Sequence, residues 1–305
     1  MNNDLERIHQ IIDEVEKVIK GKRDKVSLAV ASFLAGGHLL IEDLPGVGKT
    51  TLAKTLAHVL GLDYSRVQFT SDLLPADILG VNYFDVKRSE FTFKRGPVFS
   101  SFLLADEINR ATPKTQSALL EAMEEHQVSI DGVTMALPEP FFVIATKNPF
   151  EEVGTFELPD SQLDRFLLSF SLGYPERAAE REILSFKKNL SLQRRMTFKF
   201  EEIMQLQERC RSVHLSDVLL DYLQDILLFT RESGLFRHGL STRGALALMS
   251  LSKAWALIEG RDYVIPSDVT HMLPFVIGHR LKAKEGKMNT KKMSDAILKN
   301  VSADT

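Results

Sequence analysis

The chain has 305 residues, of which 44% are hydrophobic and 26% charged, and its formal net charge is -3. That length permits one large domain or two ordinary ones whose cores need no disulfide or metal staple, and the charge excludes nucleic-acid binding over the whole surface. The acidic start Met1-Asn2-Asn3-Asp4 lacks the basic and apolar regions of a signal peptide, no apolar run nears the ~20 residues of a membrane helix, and the single Cys210 cannot close an internal disulfide, so a cytoplasmic protein with no membrane span is expected.

In chain order, Leu5, Ile8, Ile11, Ile12, Val15, Val18 and Ile19 repeat at helical spacing, which predicts a helix with one buried face over 4–20. A second helical stretch runs from Lys25 to Leu34 and stops at Gly36-Gly37. His38-Leu39-Leu40-Ile41-Glu42 reads as a short buried strand, and the helix from Thr50 to about Leu60 ends at Gly61. Phe102-Leu103-Leu104-Ala105 and Phe141-Phe142-Val143-Ile144-Ala145 read as buried parallel strands. Each apolar run ends in polar residues, Asp106-Glu107 and Thr146-Lys147-Asn148. Strands alternating with helices argue for an α/β domain with a parallel sheet, in which ligands gather at the carboxyl ends of the strands. Asp131-Gly132, flanked by Val128 to Met135, is a hairpin signal. Beyond Tyr174-Pro175 the pattern turns helical. The expected division is a nucleotide-binding core over 1–174, a small all-α lid over 175–282 and a polar, partly ordered tail over 283–305.

The chemistry is concentrated in Pro45-Gly46-Val47-Gly48-Lys49-Thr50-Thr51, between a strand and a helix. Phosphate oxygens need many donors close together, and small residues let successive backbone N–H groups turn inward beside the positive end of the helix. Lys49 can then reach the β- and γ-phosphates of ATP, and the Thr50 hydroxyl can ligate Mg²⁺. The usual pattern asks for glycine where this chain has Asp43, and a carboxylate there is unhelpful unless it points away. Asp106 belongs with Thr50 in the metal shell, and Glu107 can take a proton from the attacking water. Adjacent residues on an extended strand face opposite ways, so the two acids need not share a role. Asn148, at the end of the next strand, can orient water without adding charge. Arg165 and Arg243 are not distinguished from other arginines by spacing.

With Leu104-Ala105-Asp106-Glu107-Ile108-Asn109-Arg110-Ala111, Ala118-Leu119-Leu120-Glu121-Ala122-Met123-Glu124-Glu125 and Leu158-Pro159-Asp160-Ser161-Gln162-Leu163-Asp164-Arg165-Phe166, the chain resembles the MoxR family of AAA+ ATPases over roughly residues 5–281. The resemblance implies Walker A at Lys49 and Thr50, Walker B at Asp106 and Glu107, and sensor 1 at Asn148. It implies an arginine finger at Arg165, sensor 2 at Arg243 in cis or in trans, and an adenine border at Val18, Ile19 and Gly21. It also implies a hexameric ring, chaperone-like work on a partner protein (in this family often one with a von Willebrand factor A domain), and two insertions, near 70–97 and 128–135, facing the ring centre. Two departures stand out. Lys147 replaces a usual glutamine, and Ser241-Thr242-Arg243-Gly244 puts glycine where alanine is usual, which is expected to loosen that helix start.

The alternative is a DNA motor of helicase or clamp-loader type. The negative net charge argues against nucleic acid as partner, as does the lack of a winged-helix or zinc module after the lid. The basic run Lys282, Lys284, Lys287, Lys291, Lys292 reads as a solvated tail.

Overall fold

Three continuous apolar runs become the centre of one parallel sheet. The computed structural model describes residues 2–149, 153–185, 198–286 and 288–302. Helices α1 (Asn2–Glu16) and α2 (Arg23–Leu34) lead into strand β1 (Leu39–Glu42), and α3 (Lys49–Val59) follows the glycine loop. Strand β2 (Tyr64–Gln68) comes next, then the short helix α4 (Pro75–Leu79) and the hairpin β3 (Gly80–Asp85) and β4 (Glu90–Arg95). After β5 (Phe102–Asp106) and α5 (Pro113–Glu125) a second hairpin, β6 (Gln127–Ile130) and β7 (Val133–Ala136), precedes β8 (Phe142–Lys147). The core ends with α6 (Asp160–Leu163) and β9 (Leu168–Phe170).

The five-stranded sheet has the order β2-β5-β8-β1-β9, with every pairing parallel. Strands β2 and β9 escape the sequence pattern. Tyr64-Ser65-Arg66-Val67-Gln68 is short and half polar, and β9 has only three residues, too few to show a period. In the central strands, alternate residues serve opposite cores. Leu39, Ile41, Phe102, Leu104, Phe142 and Ile144 join α1, α2 and α3 on one face. Leu40, Leu103, Ala105, Val143 and Ala145 meet α5 on the other. Both faces are covered, as a parallel sheet requires.

The helical part comprises α7 (Arg177–Ser185), α8 (Phe200–Arg211), α9 (Asp217–Glu232), α10 (Thr242–Ile258), α11 (Pro266–Ile277) and α12 (Thr290–Asn300). Its apolar cluster is continuous with the first face of the sheet, so core and lid share one interior. Buried polar groups fix the join. Arg280 Nε donates to Asp164 Oδ1 at 2.7 Å, and His279 sits 3.0 Å from both Ser169 Oγ and the Phe166 carbonyl. Burial holds the His279 imidazole well below its ordinary pKa, hence neutral. Cys210 is a buried thiol on α8, pushed up to about 12 by burial and therefore inert.

Residues 290–300, expected to lie in a polar tail, form α12 instead. Met293 and Ile297, one turn apart, are buried in the lid cluster, and Asn289 Oδ1 caps the helix by accepting from Lys292 N–H at 2.9 Å. Met293, Ile297 and Val301 recur every four residues, but the surrounding lysines masked that short helical signal. Gly244 does not loosen α10 either. The Ser241 hydroxyl caps that helix by accepting from Gly244 N–H at 2.9 Å, and a Cβ on Gly244 would stand 2.5 Å from the Leu240 side chain. Glycine is there for close packing.

Candidate active site

The carboxyl ends of β1, β8 and β5 lie side by side, because the three strands are parallel neighbours ~4.8 Å apart. The glycine loop continues β1, Asn148 follows β8, and Asp106 and Glu107 finish β5. The loop is tied to the β8 end by the Asp43 N–H, which donates to the Lys147 carbonyl at 3.0 Å. Gly46 and Gly48 have φ of 83° and 100°, left-handed values that glycine alone adopts freely. Gly48 begins α3 without a side-chain cap, so the first-turn amides of Lys49, Thr50 and Thr51 present a donor nest at a helix N-terminus. That open cradle and its single cation fit a triphosphate.

Lys49 is only 8% exposed and folds back on the loop, its Nζ donating to the Asp43 carbonyl at 2.6 Å and to that of Leu44 at 3.1 Å. Burial lowers its pKa, while the nearby charges of Asp43, Asp106 and Glu107 pull the other way. A largely buried ammonium near three acids is poised for an anion that brings a metal with it.

Asp43 points away from the cradle. Its carboxylate accepts from Leu44 N–H at 2.8 Å, Ser171 Oγ at 2.9 Å and Gly173 N–H at 2.6 Å. Where the usual pattern has glycine, this chain has a clamp joining the loop to the end of the core. The same strap reaches the proposed adenine border. Lys22 Nζ donates to the Tyr174 carbonyl at 2.7 Å, and Gly21 packs on Ala179, where a Cβ would come within 3.0 Å. A groove of about 460 Å³ opens there, lined by Gly21 and Ala179 but also by the acids Asp13, Glu16, Glu176 and Glu182, and neither Val18 nor Ile19 lines it. Ile19 is buried in the apolar cluster that includes Leu52 and Leu56 of α3, and Val18 packs against it.

The acid pair departs from simple strand alternation. Asp106 is the last strand residue, and Glu107 turns left-handed at φ 57° and ψ 51°. Thr146 Oγ1 bridges them, donating to Asp106 Oδ1 at 2.6 Å and accepting from Glu107 N–H at 2.8 Å. The edge strand β2 supplies two more partners. Arg66 donates to Asp106 Oδ2 through Nε at 3.2 Å and Nη2 at 2.8 Å, and Gln68 Nε2 donates to Glu107 Oε2 at 2.8 Å. Sequence reasoning missed Arg66 and Gln68 because it did not see β2. Two polar residues spaced by two before Phe69 were the available signal. The carboxylates at the β5 tip and the Thr50 hydroxyl in the first turn of α3 make an oxygen-only donor set, as Mg²⁺ prefers.

Arg165 and Arg243 are elsewhere. Leu168 pairs with Leu39, the first residue of β1, so Arg165 stands at the amino edge of the sheet. Four residues of β1 put at least roughly 13 Å between that edge and the glycine loop. Arg243, in the first turn of α10, is brought to the same edge by Ser241 Oγ, which donates to Asp164 Oδ2 at 2.8 Å. Among the described residues no helix is long and apolar enough to cross a membrane, and no group of His, Cys, Asp and Glu forms a separate metal site.

A parallel sheet carrying a glycine loop, an acidic strand tip and a helical lid defines a P-loop ATPase of the AAA+ class. Residues 38–168 match the model of the ATPase family associated with various cellular activities (AAA), and residues 228–301 match an AAA lid domain. The chain is 44% identical over 272 residues to the uncharacterized protein YeaC of Bacillus subtilis, covering 88% of this chain and 85% of YeaC. It is 40% identical over 287 residues to chaperone MoxR1 of Mycobacterium tuberculosis, covering 91% and 76% respectively. A crystal structure of a Cytophaga hutchinsonii chain ascribed ATPase function superposes with a TM-score of 0.91 at 35% identity, covering 98% of this chain and 96% of that one. The chain belongs to the MoxR family of AAA+ ATPases.

Proposed function

We propose that this ATPase works as an Mg²⁺-dependent ring, hexameric by family resemblance, that couples ATP hydrolysis to remodelling or maturation of a protein partner in the cytoplasm. The observation that carries this reading is the separation of Arg165 and Arg243 from the chain's own glycine loop by the length of the sheet. Neither side chain serves its own nucleotide, so a complete site needs a second copy.

Within one subunit, the amides of Gly46, Val47, Gly48, Thr50 and Thr51 bind the phosphates, with Pro45 shaping the turn, and Lys49 leaves the loop carbonyls for the γ-phosphate. Val18, Ile19 and Gly21 border the base. Thr50 and Asp106 hold the metal, Glu107 takes the proton of the attacking water, and Asn148 orients that water. Bound Mg²⁺ would offset negative charge on the phosphates. Arg165 and Arg243 of the neighbour complete the site, an effect on the order of 10³-fold or more in related phosphoryl transfer.

The partner-directed reading is supported by the relative named as a chaperone and by the β3–β4 hairpin. That hairpin holds Phe84 and Phe91 51% and 76% exposed on an insertion with no role in the sheet. A von Willebrand factor A domain protein is the partner class to test first. Nucleic acid is disfavoured, since Lys282 of the basic run is already paired with Asp160 at 2.6 Å; Lys287 lies outside the described residues.

Turnover per subunit should rise steeply with protein concentration, in step with mass by sedimentation. Glu107→Gln should keep ATP binding and abolish turnover. Full turnover by a monomer would refute the assembly requirement.

A further inference from the structure

Arg165 and Arg243 come from different parts of the chain, yet they meet on one carboxylate. Arg165 Nε lies 3.1 Å from Glu124 Oε2, and an Arg243 Nη2 contacts Glu124 Oε1. Glu124 occupies the last turn of α5, just after Met123, whose carbonyl accepts from the His38 ring at the amino edge of β1. Arg165 has a second anchor, whereas the Arg243 side chain is 45% exposed. Arg165 Nη1 donates to the Leu120 carbonyl at 2.7 Å, and Asp164 is locked both to Ser241 on the lid and to Arg280. Two guanidinium groups this close repel each other, and one carboxylate between them offsets that repulsion.

We propose that Glu124 is a positioning residue for hydrolysis in trans: one oxygen holds Arg165 and the other Arg243, so that both cations are presented together to a single phosphate of a neighbouring subunit. The inference rests on the trans reading of those two arginines given above. Its side chain is 32% exposed, so the carboxylate can be displaced by the arriving phosphate without opening the core. The pair is then preset in the free subunit and handed over on assembly. Without Glu124 the exposed Arg243 tip swings away from Arg165, and a misplaced group costs rate while leaving the neighbour's own ATP grip intact.

Mixing experiments separate the two sides of a subunit interface. Glu107→Gln carries intact arginines and no chemistry of its own, whereas Arg165→Ala carries intact chemistry and no finger. Mixed together they should regain turnover, and failure to do so would remove the trans reading and this inference with it. Glu124→Gln alone should fall about 10- to 100-fold in kcat with less than about twofold change in ATP binding. Glu124→Asp, which keeps the charge, should retain part of the rate. Mixed with Glu107→Gln, Glu124→Gln should regain turnover; mixed with Arg165→Ala it should not. In a Glu107→Gln background, Glu124→Gln should also reduce the ATP-dependent gain in mass seen by sedimentation at limiting protein. Wild-type turnover and assembly in Glu124→Gln, or recovery with Arg165→Ala when Glu107→Gln and Arg165→Ala do complement, overturns the assignment.

Discussion

Replacing Asp43 by alanine tests whether the carboxylate that interrupts the glycine pattern is a structural clamp. Asp43 is 6% exposed and accepts three hydrogen bonds. The bond from Leu44 is local and constrains little. Those from Ser171 and Gly173 span 128 and 130 residues of chain and tie the loop to the end of the core. Hydrogen bonds to charged groups are worth about 1.5–3 kcal/mol each, so two give about 3–6 kcal/mol. Both donors are only partly buried and water can replace the lost acceptor, which about halves the cost to about 1.5–3 kcal/mol. Urea unfolding followed by far-ultraviolet circular dichroism reads this directly. Ser171→Ala alone should cost about 1 kcal/mol. The double variant should cost no more than Asp43→Ala plus a few tenths, roughly, because both remove the same bond. A loss below about 0.5 kcal/mol for Asp43→Ala, or additive losses in the double variant, would refute the clamp.

Arg66→Ala removes the cation now paired with the proposed metal carboxylate, so the Mg²⁺ concentration for half-maximal turnover should fall; a rise would show that Arg66 helps the metal instead of competing with it. His38 is buried and lowered to about 4, mainly by desolvation; its Nδ1 accepts from Val143 N–H, so Nε2 carries the proton given to the Met123 carbonyl. Because the folded state refuses a proton that the unfolded chain takes up at 6.5, stability should be lost as pH falls from about 6.5 to about 4, by about 3 kcal/mol from this residue. His38→Gln should flatten the acid limb of the unfolding profile, and an unchanged slope would count against the assignment. Ile297→Ala should destabilise the chain by about 2–4 kcal/mol, since Ile297 is fully buried, whereas a disordered tail would give no change on thermal unfolding.

Local chemistry determined much of this protein in advance. Continuous apolar runs ending in polar residues marked three central strands, and Gly46, Gly48, Lys49 and Thr50 between a strand and a helix marked the phosphate cradle. Asp131-Gly132 marked a hairpin, built with both residues at positive φ. These signals are short in range, so they survive as spacing along the chain.

What only the tertiary structure decided depends on pairing across distance. Strand β2 has a weak pattern, so its Arg66 and Gln68 were invisible until the sheet laid them beside Asp106 and Glu107. The direction of the Asp43 carboxylate was set by Ser171 and Gly173, far along the chain. Helix α12 forms because the lid buries Met293 and Ile297, a gain that the local sequence does not contain. Above all, spacing could not say on which edge of the sheet Arg165 and Arg243 lie. Parallel register puts them at the amino edge, with Glu124 between them and the phosphate cradle a full strand away. A residue's type is local, but the partner it can reach is a property of the whole fold.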